Sequence, residues 1–220
     1  MITLKEVQKN AYILKFIEES QRALSFYHYT DHGLDHVSLV AKRAKSLARK
    51  IGFSKEEQEL CAIAGFCHDM GNFLDRKDHE YWGALLFQNV FQEKMEPKDL
   101  VAVMQAIANH DNYYAKVLSP ISAIVILADK SDVRRSRVVI QNKALIEKDI
   151  HNRVNFAVTD NKFLVNPKEE KITLKLKIDT DFVPVMEYFE IFTQRMVQCR
   201  KAAKFLGYRF CLIINNFKLL

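Results

Sequence analysis

The sequence predicts a mainly α fold, a helical bundle over residues 1–150 followed by a small C-terminal α+β appendage over 151–220. Two observations carry this reading. Apolar residues recur at steps of three and four almost everywhere up to residue 150, and the period changes to two beyond it. A third observation agrees: the helical segments are short and closely connected, as in a compact bundle.

In 33–53, GLDHVSLVAKRAKSLARKIGF, Val37, Val40, Ala41, Ala44, Leu47, Ala48 and Ile51 form one apolar face, and Gly52 stops it. The segment 55–71, KEEQELCAIAGFCHDMG, runs into Gly71, read as a left-handed cap. Helices follow in 79–94, HEYWGALLFQNVFQEK, in 97–111 with Pro97 near its start, and in 120–132 with Pro120 likewise placed. A further basic helix is predicted over about 133–150. Beyond it, 153–179 alternates, most clearly at Ile172, Leu174, Leu176 and Ile178, with Asp160-Asn161 and Asn166-Pro167 read as turns. A helix carrying Val185, Phe189, Phe192, Met196 and Cys199 ends near Gly207, and RFCLIINNFKLL closes the chain as a strand. The appendage is therefore expected to be a three- or four-stranded sheet covered by one helix.

Composition narrows the function. No run approaches the ~18 apolar residues of a membrane helix, and the N-terminal segment carries charges throughout, so a soluble, cytoplasmic protein without a membrane partner is expected. Cys61, Cys67, Cys199 and Cys211 form no CxxC pair and read as buried free thiols. The net charge of +6 lies mostly in 151–220, with 12 Lys and Arg against 7 Asp and Glu. It lacks the dense basic clusters with interleaved aromatics of a nucleic-acid surface, and such a partner is not expected.

The chemistry starts at GFCHDMGN, residues 65–72, where His68 and Asp69 end an apolar helix. Burying two ionisable groups there costs several kcal/mol, order of magnitude, unless hydrogen bonds or an ion satisfy them. Adjacent helical residues point about 100° apart, so both can reach one ion only near the helix end. Further nitrogen and oxygen donors stand near helix ends or interrupt apolar faces at His36, His79, His110 and Asp129. Singly, each could be an ordinary hydrogen-bonded residue, and Asp129 could pair with Lys130 or Arg134. Together they form a constellation. Imidazoles mixed with carboxylates suit Mn, Fe, Co, Ni or Zn better than an all-oxygen Mg or Ca site.

The order His36, His68-Asp69, Asp129 resembles the H…HD…D signature of the HD-domain metal-dependent phosphohydrolases, and DHVSLVA, GFCHDMG and ILADKSD are similar to that family's local segments. The resemblance covers about residues 20–150. It implies an HD-domain helical bundle in which His36, His68, Asp69 and Asp129 hold one divalent ion, with His68 and Asp69 at the catalytic centre. HEYWGA and AIANHD are similar to the extra histidines of binuclear members, including the HD-GYP phosphodiesterases and the YqeK-like dinucleoside tetraphosphatases. They imply a second ion on His79 and His110, bridged by Asp69. The chain departs from those members at Asn72, where they usually carry lysine, and at Asp111, where HD-GYP proteins tend to have histidine. It also lacks the GYP segment, so a substrate smaller than a cyclic dinucleotide is expected.

The implied reaction is in-line attack of metal-activated water on a phosphoester or phosphoanhydride, with a small, nucleotide-like phosphorylated molecule as partner. Lys130, Arg134 and Arg137 are read as one cationic helix face for its phosphate, and Asn72 and His32 as weaker contacts. The alternatives are an HD-type diiron oxygenase and a non-catalytic metal and nucleotide sensor. Three roles are open to the appendage: packing on the helices, forming a homodimer, or covering the site.

Overall fold

The computed structural model describes residues 2–112 and 116–219. The helices are α1 (Leu4–Val7), α2 (Ala11–Phe26), α3 (Leu34–Lys50), α4 (Lys55–Cys67), α5 (His79–Phe91), α6 (Pro97–Asn109) and α7 (Pro120–Lys130). A 3-10 turn (Arg135–Arg137), α8 (Lys143–Lys148) and α9 (Ile150–Ala157) lead into β1 (Val158–Asn166), β2 (Lys171–Ile178), α10 (Val185–Phe205), β3 (Arg209–Ile214) and β4 (Phe217–Lys218). The protein is thus mainly helical, with a small four-stranded C-terminal sheet. Among the described residues no helix is long and apolar enough to cross a membrane.

Two helices are apolar on nearly every side because they occupy the middle of the bundle. After a capping box of Ser54 and Glu57, α4 is buried from Leu60 to Cys67, packed against α3, α6 and α7. Likewise α7, capped by Ser119 and opened by Pro120, is buried from Ile121 to Lys130. Both therefore end inside the protein rather than at its surface. The outer α3 is amphipathic, burying Val37, Val40, Ala41, Ala44, Leu47 and Ala48, and stops where Gly52 takes φ +91°.

The sheet order is β1-β2-β3-β4, with β2 and β3 parallel and the outer pairs antiparallel. A parallel pair needs a crossover, which α10 supplies. Ile172, Leu174, Leu176 and Ile178 of β2 face the core, and α10 packs on β3 and also on α7. One apolar core consequently runs from the bundle into the sheet. Asn161 of β1 joins the two parts with hydrogen bonds: its Nδ2 donates to the carbonyls of Ser131 and Val133 at 2.8 and 2.7 Å, and its Oδ1 accepts from Arg43 at 2.6 Å.

Four local expectations change. The helix expected over 133–150 is a 3-10 turn and an extended stretch followed by α8, because Arg137 folds inward onto the backbone of Asp31 and Asp132. Lys130, Arg134 and Arg137 therefore share no helical face, since α7 ends at Lys130. Asp160-Asn161 makes no turn; β1 passes through it with an irregularity after Val158. Gly71 is not left-handed: only Gly52 and Gly207 among the described glycines have positive φ. Its role is close approach, since a Cβ there would lie 2.2 Å from the His79 carbonyl oxygen and 2.6 Å from the Gly83 nitrogen. In addition, α1, α2 and α9 are helices beyond those expected from the apolar pattern.

Candidate metal centre

All six candidate ligands stand at helix ends. His36 is in the first turn of α3, His68 caps α4 with Asp69 next to it, His79 opens α5, His110 caps α6, and Asp129 lies in the last turn of α7. Local devices hold these ends together. The Asp31 carboxylate accepts from the backbone N–H of Gly33 and His36 at 2.9 and 3.0 Å, fixing the start of α3. Ser20 on α2 donates to the Met70 carbonyl at 3.0 Å and accepts from Phe73 N–H at 3.2 Å, bracing the turn after α4. The bare Cα of Gly71 lets the start of α5 close on that turn.

The side chains converge. His36 and His68 bring their Nε2 atoms within 3.3 Å of each other, and His79 and His110 do the same at 3.3 Å. Asp69 lies between the pairs: Oδ2 is 3.5 Å from His36 and 3.1 Å from His68, while Oδ1 is 3.3 Å from His79 and 3.8 Å from His110. Asp129 Oδ1 is 3.3 Å from His36 and 3.6 Å from His68. Every ring is held from behind by its Nδ1, His36 against Asp132 at 2.8 Å and His68, His79 and His110 against the carbonyls of Gly65, Arg76 and Ile107 at 2.8, 3.0 and 2.7 Å. Such contacts fix the tautomer with the proton on Nδ1 and turn the Nε2 lone pair inward.

That arrangement fits a divalent metal. Facing nitrogen lone pairs and buried carboxylates repel one another unless a proton or cation sits among them. Donors bound to one ion at about 2.0–2.2 Å would stand roughly 3–3.6 Å apart, which is the spacing of these atoms. Among the described residues three groups of neighbouring donors could hold an ion: His36, His68 and Asp69; His68, His110 and Asp129; and Asp69, His79 and His110.

Electrostatics agree. Burial opposes charge on His68, yet Asp69 and Asp129 hold its pKa up at about 10. His36 is likewise raised, against burial and Arg137, by Asp129, Asp132 and Asp69. Despite their own burial, Asp69 is held well below the usual carboxylate range by the histidines, and Asp129 chiefly by Lys130. His110 is different: burial pushes it down to about 4, leaving a neutral imidazole. The field that keeps protons on His36 and His68 also favours a cation.

The cations and amide expected beside the centre divide into two groups. Lys130 Nζ lies 2.9 Å from Asp129 Oδ2 and 2.5 Å from Asp111. Asn72 donates Nδ2 to Asp69 Oδ1 at 3.1 Å, so both line the carboxylates directly. Arg134 instead donates to Asp132 at 2.7 Å, and Arg137 binds the Asp31 carbonyl through Nε at 3.0 Å behind His36. Two contributors to the centre lie outside the candidate ligands and substrate contacts read from the sequence. Asp132, two residues past the end of α7, is legible there as a partner for the arginines but not as the partner of His36. Arg76, whose Nη1 donates to Asn72 at 2.7 Å and lies 3.4 Å from His79 Nε2, had no local signal.

Residues 33–134 match the family model described as the HD domain, a span that contains all six donors. Residues 33–134 of the bundle are thus similar to the HD domain, which suggests a metal-dependent, hydrolase-type superfamily, commonly of phosphohydrolases. No curated protein matches the chain.

Proposed function

We propose that this protein is a phosphohydrolase that uses two divalent transition-metal ions to cleave a small phosphoester or phosphoanhydride. The observation that carries the reading is the position of Asp69, whose two oxygens face two separate histidine pairs. His36, His68, Asp69 and Asp129 would hold one ion, and His79, His110 and Asp69 the other. Bound metals of this kind activate water at neutral pH and stabilise the charge that builds on phosphoryl oxygens.

The chain's own groups do the rest. Asp69 and Asp129 set the charge of the cluster, and Asp132 orients His36 through Nδ1. Lys130 adds a fixed positive charge beside Asp129 and Asp111, while Asn72 steers the Asp69 carboxylate. Arg134 and Arg137 act at a distance, by holding Asp132 and the loop before α3. The intact donor set favours turnover over passive sensing.

The deciding experiment pairs elemental analysis with a screen of nucleotides, dinucleoside polyphosphates and simple phosphodiesters, run with Mn, Fe(II), Co, Ni and Zn. The wild type should release phosphate with at least one metal, and Asp69→Ala should lose both the metal and the activity. Full metal content in Asp69→Ala would overturn the ligand assignment. Oxygen uptake by the iron-loaded protein without phosphate release would overturn the reaction.

A further inference from the structure

A cleft of about 380 Å³ opens beside the centre, walled on one side by the α2–α3 link and Arg76 and on the other by α9 and α10. It falls within the about 300–1,000 Å³ of small-molecule sites. Two contacts join it to the centre. His32, in its wall, packs edge-on against His36 with ring centroids 5.8 Å apart, and Arg76 reaches within 3.4 Å of His79 Nε2.

We infer that this cleft is the substrate pocket, and that Arg195 of the C-terminal segment, together with Arg76, binds the phosphate of a small aromatic phosphate such as a nucleoside monophosphate. The inference rests on the phosphohydrolase reading and adds to it the substrate class and a task for the appendage.

The wall has the chemistry this ligand needs. Arg76 lies over the Tyr29 ring, 5.9 Å from its centroid, and Arg195 over Phe192 at 5.0 Å. A guanidinium lying against an aromatic ring is pre-oriented, and its N–H edge suits two phosphate oxygens. Tyr27 and Tyr29 are exposed and offer faces on which a base could stack. Asp149, the one carboxylate in the wall among the described residues, caps α9 by accepting from Asn152 N–H at 2.8 Å. The positive charge of the wall is carried by the two arginines, since burial lowers the pKa of His151.

One further observation points to a ligand. Asn155, buried in the wall, donates Nδ2 to the His151 carbonyl, while its Oδ1 has no hydrogen-bond partner among the described residues. A buried acceptor left so is costly until a donor such as a ligand hydroxyl or amino group meets it. His28, on the opposite wall, is the left-handed cap that closes α2, and its carbonyl accepts from Asn152 on α9 at 2.8 Å, which ties the two walls together.

The test is calorimetric titration of AMP into the metal-loaded protein, with metal content and thermal melting recorded for each variant. Arg195→Gln should weaken AMP binding at least tenfold with metal content unchanged. Asn155→Asp, which places a negative charge in the wall at constant size, should weaken it at least fivefold, and it carries the test if Arg195→Gln does not fold. AMP affinity within threefold of wild type in a folded Arg195→Gln, or no AMP binding by the wild type, overturns the pocket. Phosphate release with Arg195-independent binding sinks the pocket and keeps the hydrolase. Arg195-dependent binding without any turnover does the reverse.

Discussion

His79 and His110 present their Nε2 atoms to each other at 3.3 Å while each donates its other ring nitrogen to a carbonyl of its own chain segment, Arg76 and Ile107. With each Nδ1 engaged by a carbonyl, the two Nε2 atoms face each other, an arrangement that a cation between them would relieve. The double variant His79→Ala, His110→Ala should therefore lose one of two bound ions and keep the one at His36. Elemental analysis after equilibration with Mn or Fe(II) reads this directly. Two ions per chain in the double variant would show that these rings hold none.

Asp132 touches no candidate ion site except through His36 Nδ1, at 2.8 Å. In Asp132→Asn the side chain keeps its shape but loses the charge that sets the imidazole's proton, and partners of this type are typically worth about 10–100-fold in metal affinity. Competition against a fluorescent chelator should show a loss of that order with the helical circular dichroism retained. Unchanged affinity would mean that Asp132 serves only Arg134 and Arg137.

Gly71 tests how closely the turn after α4 must meet α5. A Cβ at 2.2 Å from the His79 carbonyl oxygen meets backbone, which cannot swing aside. Gly71→Ala should destabilise the fold by about 1–3 kcal/mol or more, the usual scale for overpacking a rigid interior. It should also lower metal content, because the shift moves His79. A urea midpoint equal to wild type would contradict the close approach.

The cysteines should be chemically quiet. All four are buried, and burial pushes the Cys199 thiol up to about 12 and Cys67 higher still. A raised thiol pKa means almost no thiolate at pH 8, and thiolate is the reactive form. Iodoacetamide at pH 8 should label neither residue in the native protein and both in urea, as read by intact-mass spectrometry. Rapid native labelling of Cys199 would show that α10 opens from α7.

Much of the bundle was legible because its helices bury one face. Val37, Val40, Ala44 and Leu47 repeat at helical spacing and are buried in α3, and Ile172, Leu174, Leu176 and Ile178 alternate and are buried in β2. The segment after Lys130 was misread for a physical reason. Arg137 finds hydrogen-bond partners in the backbone of Asp31, more than a hundred residues away in sequence, and those bonds override local helix propensity. Asn161 looks like a turn residue, but its amide serves carbonyls at the end of α7. At the centre, residue types and order could show six donors. They could not show that the two oxygens of Asp69 face opposite ways, nor that Arg76 and Arg195 stand across one cleft, because both depend on how distant helix ends meet.

The bond from Asn161 has a mechanical meaning. The two carbonyls it holds, Ser131 and Val133, flank Asp132, and the same side chain also takes a hydrogen bond from Arg43 on α3. The first strand of the sheet thus works as a splint across the joint that aims His36. Cutting those bonds alone, as in Asn161→Ala, would set the joint free while the shared core of bundle and sheet stays in place, so aim should be lost before shape.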